Sequence, residues 1–115
     1  MNNLKVHVGS LRDAGERFAA AWERAEKGDV FEERHVTFLS WDELVKTLTP
    51  KRLELLRHVH REGAESVKAL AKALSRDYSN VHDDVAALEA AGLIVREGTR
   101  LSAPWDTLTT ELSLT

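Results

Sequence analysis

The sequence predicts an α+β fold, mainly helical with a small amount of strand, and three observations lead there. The middle of the chain carries apolar residues at steps of three and four between capping residues. Both ends carry them at every second position instead. One Gly-Thr pair, Gly98-Thr99, separates two short strand-like runs, as a tight hairpin requires. The 115 residues are 43% apolar and 30% charged, which suits one soluble domain around one core.

The front end reads as strand, helix, strand. Leu4, Val6 and Val8 alternate with Lys5 and His7, the period of a half-buried strand. Ser10 can cap a helix, with Asp13 completing a capping box, and Leu11, Ala14, Phe18, Ala21, Trp22 and Ala25 share one face of Leu11–Lys27. His35–Leu39 reads as a second strand through Val36, Phe38 and Leu39. Two strands joined by a helix suggest a small β-α-β unit, whose pairing the pattern leaves open.

The helical middle starts at Ser40-Trp41-Asp42-Glu43, a capping box with Leu39 and Leu44 placed for a hydrophobic staple, and a helix of Trp41 to about Thr47 follows. Thr49-Pro50 restarts: Thr caps, and Pro takes the first helical position, where its missing N–H costs nothing. Leu53, Leu56 and Val59 form one face of Pro50–Arg61, which Gly63 ends. Ser66 caps the next helix, lined by Val67, Leu70, Ala71 and Leu74. A polar break, Ser75-Arg76-Asp77-Tyr78, leads to a last helix with inner face Val81, Val85 and Leu88; Gly92 and Leu93 suit a Schellman end. Beyond it come the hairpin around Gly98-Thr99 and a strand over Thr107–Leu114, with Leu108, Leu112 and Leu114 on one side.

Composition removes several functions. The chain has no cysteine, which excludes disulfides, iron–sulfur clusters, thiolate zinc sites and a cysteine nucleophile. No stretch approaches the roughly 18 apolar residues of a membrane span, and MNNLKVHVGS lacks the apolar centre of a signal peptide, so a cytoplasmic location is expected. His58 and His60 stand two apart on a helix, the wrong spacing for a metal pair. Adjacent Asp83 and Asp84 diverge by about 100° on a helix, which reads as a solvated edge rather than an acid–base pair. No phosphate loop, nucleophile elbow or HExxH occurs. The expectation is therefore no catalytic residue, no cofactor and no metal.

Short helix, polar turn, second helix, hairpin is the order of a helix-turn-helix with a wing. The first helix crosses the DNA backbone and the second enters a major groove about 12 Å wide. The net charge is −3, and residues 51–103, with 9 basic and 8 acidic side chains, are the least acidic part. A nucleic-acid surface here must rest on a few placed side chains.

The pieces LTPKRLELL, LAKALSRDYSNVHDDV and LEAAGLI, within Leu48–Val95, carry a resemblance: the segment resembles prokaryotic winged helix-turn-helix regulators of the broad MarR/ArsR kind, including short, antitoxin-like ones. The resemblance implies that Tyr78, Ser79, Asn80 and His82 face DNA from the start of the recognition helix, residues 78–91. It further implies that Lys72 and Arg76 approach phosphates, and that Arg96, Thr99 and Arg100 reach DNA from the wing. Asp83 departs from the pattern, in which a basic residue often stands there; its carboxylate can accept from a cytosine amine and repels phosphate. The implied organisation is an extension over 1–39 as a dimerisation element, a winged helix-turn-helix over 40–103, and a strand in 104–115 as a dimer or sheet contact. The implied function is a homodimeric DNA-binding repressor with double-stranded DNA as partner. The alternative is an antitoxin or other protein-interaction module whose main partner is a protein, such as a cognate toxin.

Overall fold

A computed structural model of the chain describes residues 3–9, 16, 19, 34–111 and 114. The elements run β1 (Asn3–Val8), β2 (Arg34–Phe38), α1 (Trp41–Thr47), α2 (Pro50–Glu62), α3 (Val67–Leu74), α4 (Tyr78–Ala90), β3 (Val95–Glu97), β4 (Arg100–Ser102) and β5 (Thr107–Thr110). The α+β class is as the periodicity predicts. The helix expected over Leu11–Lys27, with Phe18 and Trp22, lies outside the described residues apart from Glu16 and Ala19, which are helical and exposed. Among the described residues no helix is long and apolar enough to cross a membrane.

The two ends of the chain meet in one sheet of order β2-β1-β5, parallel throughout. β1 is central, with Val6 opposite Val36 on one side and Leu4 opposite Leu108 on the other. Its alternation is the expected one: Leu4 and Val6 are buried, whereas Lys5 and His7 are only partly covered. On the polar face Asn3 Oδ1 accepts from the hydroxyls of Thr107 at 2.8 Å and Thr109 at 3.0 Å, which holds β5 in register. Helices α1 to α4 and the β3–β4 hairpin therefore lie in the connection from β2 to β5. The terminal strand is a sheet contact within the chain. It is shorter than the alternation suggests, ending at Thr110, and Leu114 is 95% exposed. Leu39, expected in β2 and in a staple on Leu44, lies past the strand and is 63% exposed, while Leu44 is buried.

The helix starts follow their capping residues. Ser40, Thr49 and Ser66 each accept, through the side-chain oxygen, from the backbone N–H three residues on, at 3.2, 3.3 and 3.0 Å. Asp77 does the same for α4, accepting from the Asn80 N–H at 3.2 Å. On α2 the buried face is Leu55, Leu56 and Val59; Leu53, expected inside, is half-buried and borders a groove. One core gathers these with Val67 and Leu70 of α3, Val81, Val85 and Leu88 of α4, and Leu4, Leu93, Leu101 and Trp105. The buried Trp105 indole N–H donates to the Leu93 carbonyl at 3.0 Å, tying the approach to β5 to the end of α4. β4 also reaches the α2–α3 linker, where Leu101 and Ala64 exchange both backbone hydrogen bonds.

Helices α3 and α4 end alike. Leu93 N–H bonds Leu88 O and Gly92 N–H bonds Glu89 O, the paired bonds of a Schellman motif, with Gly92 at φ +84°. At the end of α3, Arg76 N–H bonds Ala71 O and Ser75 N–H bonds Lys72 O, but the left-handed residue is Ser75, at φ 53° and ψ 44°. A side chain there costs about 1–2 kcal/mol, partly offset by the lower unfolded-state entropy of a non-glycine residue. Ser75→Gly is therefore expected to raise stability by about 0.5–1 kcal/mol. A melting temperature at or below that of the wild type would show that Ser75 is not strained. The hairpin forms as spaced: Glu97 pairs with Arg100, so Gly98-Thr99 is the whole turn, with Gly98 at φ +63°.

Candidate nucleic-acid interface

The site is built from the outer face of α4. Val81, Val85 and Leu88 are 0% exposed and fix the helix against α3 and the rest of the core. With that stripe turned inward, Tyr78, Ser79, Asn80, His82 and Asp83 are all exposed over the first two turns. The Tyr78 and His82 rings, one turn apart, lie 5.9 Å centre to centre. His82 Nδ1 is 3.8 Å from Asp83 Oδ1. These groups offer a bidentate amide, hydroxyls, an imidazole and a carboxylate, the donor and acceptor types that read base edges in a major groove.

The two aspartates separate completely, and the expected solvated edge holds only for Asp83. Asp84 is turned toward the core side, where Oδ1 accepts from Arg52 Nε at 3.0 Å and Oδ2 from Arg76 Nη2 at 2.8 Å. The side chains are 22%, 14% and 22% exposed for Arg52, Asp84 and Arg76. Arg52 also donates through Nη1 to the Lys46 and Thr47 carbonyls at 3.2 and 3.3 Å, the open C-terminal end of α1. One carboxylate thus ties α1, α2, the α3–α4 turn and α4 together. Arg76, expected at a phosphate, is a member of this network.

The remaining cations are placed as follows. Lys72 is exposed on α3. Arg96 Nε donates to Glu89 of α4 at 3.1 Å, and Arg100 donates to Glu65 at 2.9 Å. Thr99 stands exposed at the hairpin tip. The Arg100 pair is open to solvent, and such pairs contribute about 0–1 kcal/mol, so Arg100 can change partners at little cost. The fold brings Tyr78, Ser79, Asn80, His82 and Asp83 onto one helix face, and Arg96, Thr99 and Arg100 onto one hairpin.

Several polar contacts had no counterpart in the sequence reading. Asp77 as cap of α4 had a local signal, an Asp directly before the helix. Asp84 had one too: it sits about 60° round the helix from buried Val81, whereas Asp83 sits about 160° away. Its partners, 32 and 8 residues distant, had none. His7 Nε2 and His35 Nδ1 meet at 2.7 Å across β1 and β2, a contact that only the parallel pairing creates. His60, half of a pair judged unsuited to metal, donates from Nδ1 to the Ala103 carbonyl at 2.7 Å, and its Nε2 lies 3.5 Å from Asp106. Among the described residues no group of three or more His, Asp or Glu side chains is placed to hold a metal.

The family model named HVO_A0114 matches residues 47–110, from the end of α1 through β5, more than half of the chain. No curated protein and no solved structure matches the chain.

Proposed function

This chain belongs to the HVO_A0114 family, and we propose that it is a sequence-specific DNA-binding transcriptional regulator, a homodimeric repressor that reads the major groove with α4. The observation that carries the reading is the split of α4: an inner stripe with no exposure and an outer face on which Tyr78, Ser79, Asn80, His82 and Asp83 are all exposed. The order short helix, turn, helix, hairpin supports it, since α3, α4 and β3–β4 then act as the two helices and the wing of a winged helix-turn-helix. One such unit reads few base pairs, and a dimer over half-sites about one DNA turn apart solves this. Lys72, Thr99 and Arg100 are the nearest candidates for backbone contact, with Arg96 after release of Glu89.

The test is a mobility shift with the DNA upstream of the chain's own coding region, followed by selection from a randomised-site library at fixed salt. Asn80→Ala is expected to cost about 1–3 kcal/mol on the selected site and little on random DNA. Asp83→Ala removes a charge that repels phosphate, so random DNA binds equally or more tightly while any cytosine preference falls. If neither variant changes the selected sequence or the specificity ratio, α4 does not read DNA.

A second reading has its own support. Arg76, Arg96 and Arg100 are each held by a carboxylate, and Asp83 stands in the middle of the reading face. An antitoxin or interaction module, with a protein as main partner and this helix face as contact, needs no surplus of positive charge. Failure to retard DNA at low salt favours it.

A further inference from the structure

A groove of about 560 Å³ opens between α2 and the segment that leads from β4 into β5. That volume is within the usual range for a small-molecule site, about 300–1,000 Å³. Its floor is apolar, formed by the buried Leu56, Ala103 and Trp105, with the half-buried Leu48, Leu53 and Leu108 as walls. Leu53 faces this space instead of the core, which is why the buried stripe of α2 is shifted from the expected one.

The rim is as specific as the floor. Arg57 and Arg61 stand one turn apart on α2, about 6 Å along the axis, and both are exposed at the groove. Among the described residues Arg52, Arg76, Arg96 and Arg100 each hold a carboxylate at 3.1 Å or less, whereas Arg57 and Arg61, like Arg34 of β2, have no ion-pair partner. The acidic side chain on the rim, Asp106, lies beside His60, whose ring is fixed by the Ala103 carbonyl. Two guanidinium groups that pair with no carboxylate, at the mouth of an apolar slot where Asp106 lies beside His60, suit a ligand with one anionic head and an apolar body. A phosphodiester would satisfy the arginines and leave the slot unfilled; a neutral apolar molecule would do the reverse.

We infer that this groove binds a small amphipathic carboxylate, its head between Arg57 and Arg61 and its alkyl chain over Leu56 and Trp105. The inference is independent of the DNA reading, because the groove is formed by residues outside the α4 face. The test is isothermal titration of the full chain, without DNA, with octanoate, octanol and inorganic phosphate. Octanoate is expected to bind saturably at one site per chain, with octanol at least about tenfold weaker and phosphate weaker still. The R57E/R61E double variant changes two exposed side chains and puts an anion in the last turn of α2, so it is expected to stay folded with a melting temperature lowered by a few degrees, to lose at least about tenfold in octanoate affinity and to keep its weak octanol binding. Four results would each overturn the inference: no octanoate binding, octanol equal to octanoate, phosphate equal to octanoate, or an R57E/R61E variant that binds octanoate as tightly as the wild type.

Discussion

Gly92→Ala is expected to lower the stability of the chain by about 3 kcal/mol, two costs acting together. The residue closes the Schellman motif of α4 at φ +84°, where a Cβ costs about 1–2 kcal/mol. A Cβ built there also falls 2.8 Å from Cγ1 of Val36 in β2, well inside carbon–carbon contact, and overpacking of this kind costs about 1–3 kcal/mol. Gly98 supplies the control. It too has a positive φ, +63°, but a Cβ there meets nothing within 4 Å, so Gly98→Ala is expected to cost only the backbone share, about 1–2 kcal/mol. In thermal unfolding the Gly92 variant should melt about 10 °C below the wild type and clearly below the Gly98 variant. Adding Val36→Ala, which removes the opposing methyls, should make the Gly92 substitution cheaper. Equal costs at the two glycines would mean that β2 does not press on the end of α4.

Asp84→Ala is expected to cost about 2–4 kcal/mol, and Asp83→Ala, its neighbour, less than about 0.5 kcal/mol. Removing one partner of a buried pair costs about 3–5 kcal/mol, because the charge left behind is neither hydrated nor paired. The figure for Asp84 is lower because 14–22% of each side chain in the network still meets water. Two guanidinium groups lose their acceptor at once, and Arg52 loses the anchor that aims it at the last carbonyls of α1. Urea unfolding of the single variants and of the Asp84→Ala/Arg76→Ala double variant checks this. The double variant should cost less than the sum of the singles, since the second removal takes away a charge already stranded. Additive costs would show that the pair is not coupled. Asp83→Ala as costly as Asp84→Ala would show that the two side chains are placed differently.

The local signals are the ones that survived. Ser40, Thr49 with Pro50, and Ser66 each start a helix where a side-chain oxygen can satisfy an open N–H, a contact spanning three residues. Gly92 and Gly98 sit at positive φ because a helix end and a two-residue turn require it. Val81, Val85 and Leu88 are inside because a helix with that spacing has one apolar stripe to bury, and the outer face with Asn80 and Asp83 follows from the same arithmetic. For the candidate site, legibility stopped at the sign of each side chain. Arg76 was readable as a cation, but not as one already held by Asp84 eight residues away.

What the sequence by itself determined is therefore mostly what closes within about one helical turn or one hairpin: the type and most boundaries of the described elements, the caps Ser40, Thr49 and Ser66, the hairpin turn and the inward stripe of α4. The tertiary structure alone decided the rest. Strand alternation in Leu4–Val8 and around Leu108 says which face is buried but carries no information on the partner, so the parallel order β2-β1-β5 was not visible in it. The same holds for the Arg52–Asp84–Arg76 network, for Gly92 against Val36, and for the groove that draws Leu53 and the two unpaired arginines of α2 to one mouth. Each joins groups far apart in the chain. Such contacts depend on how whole elements pack, and no spacing within a single element encodes them.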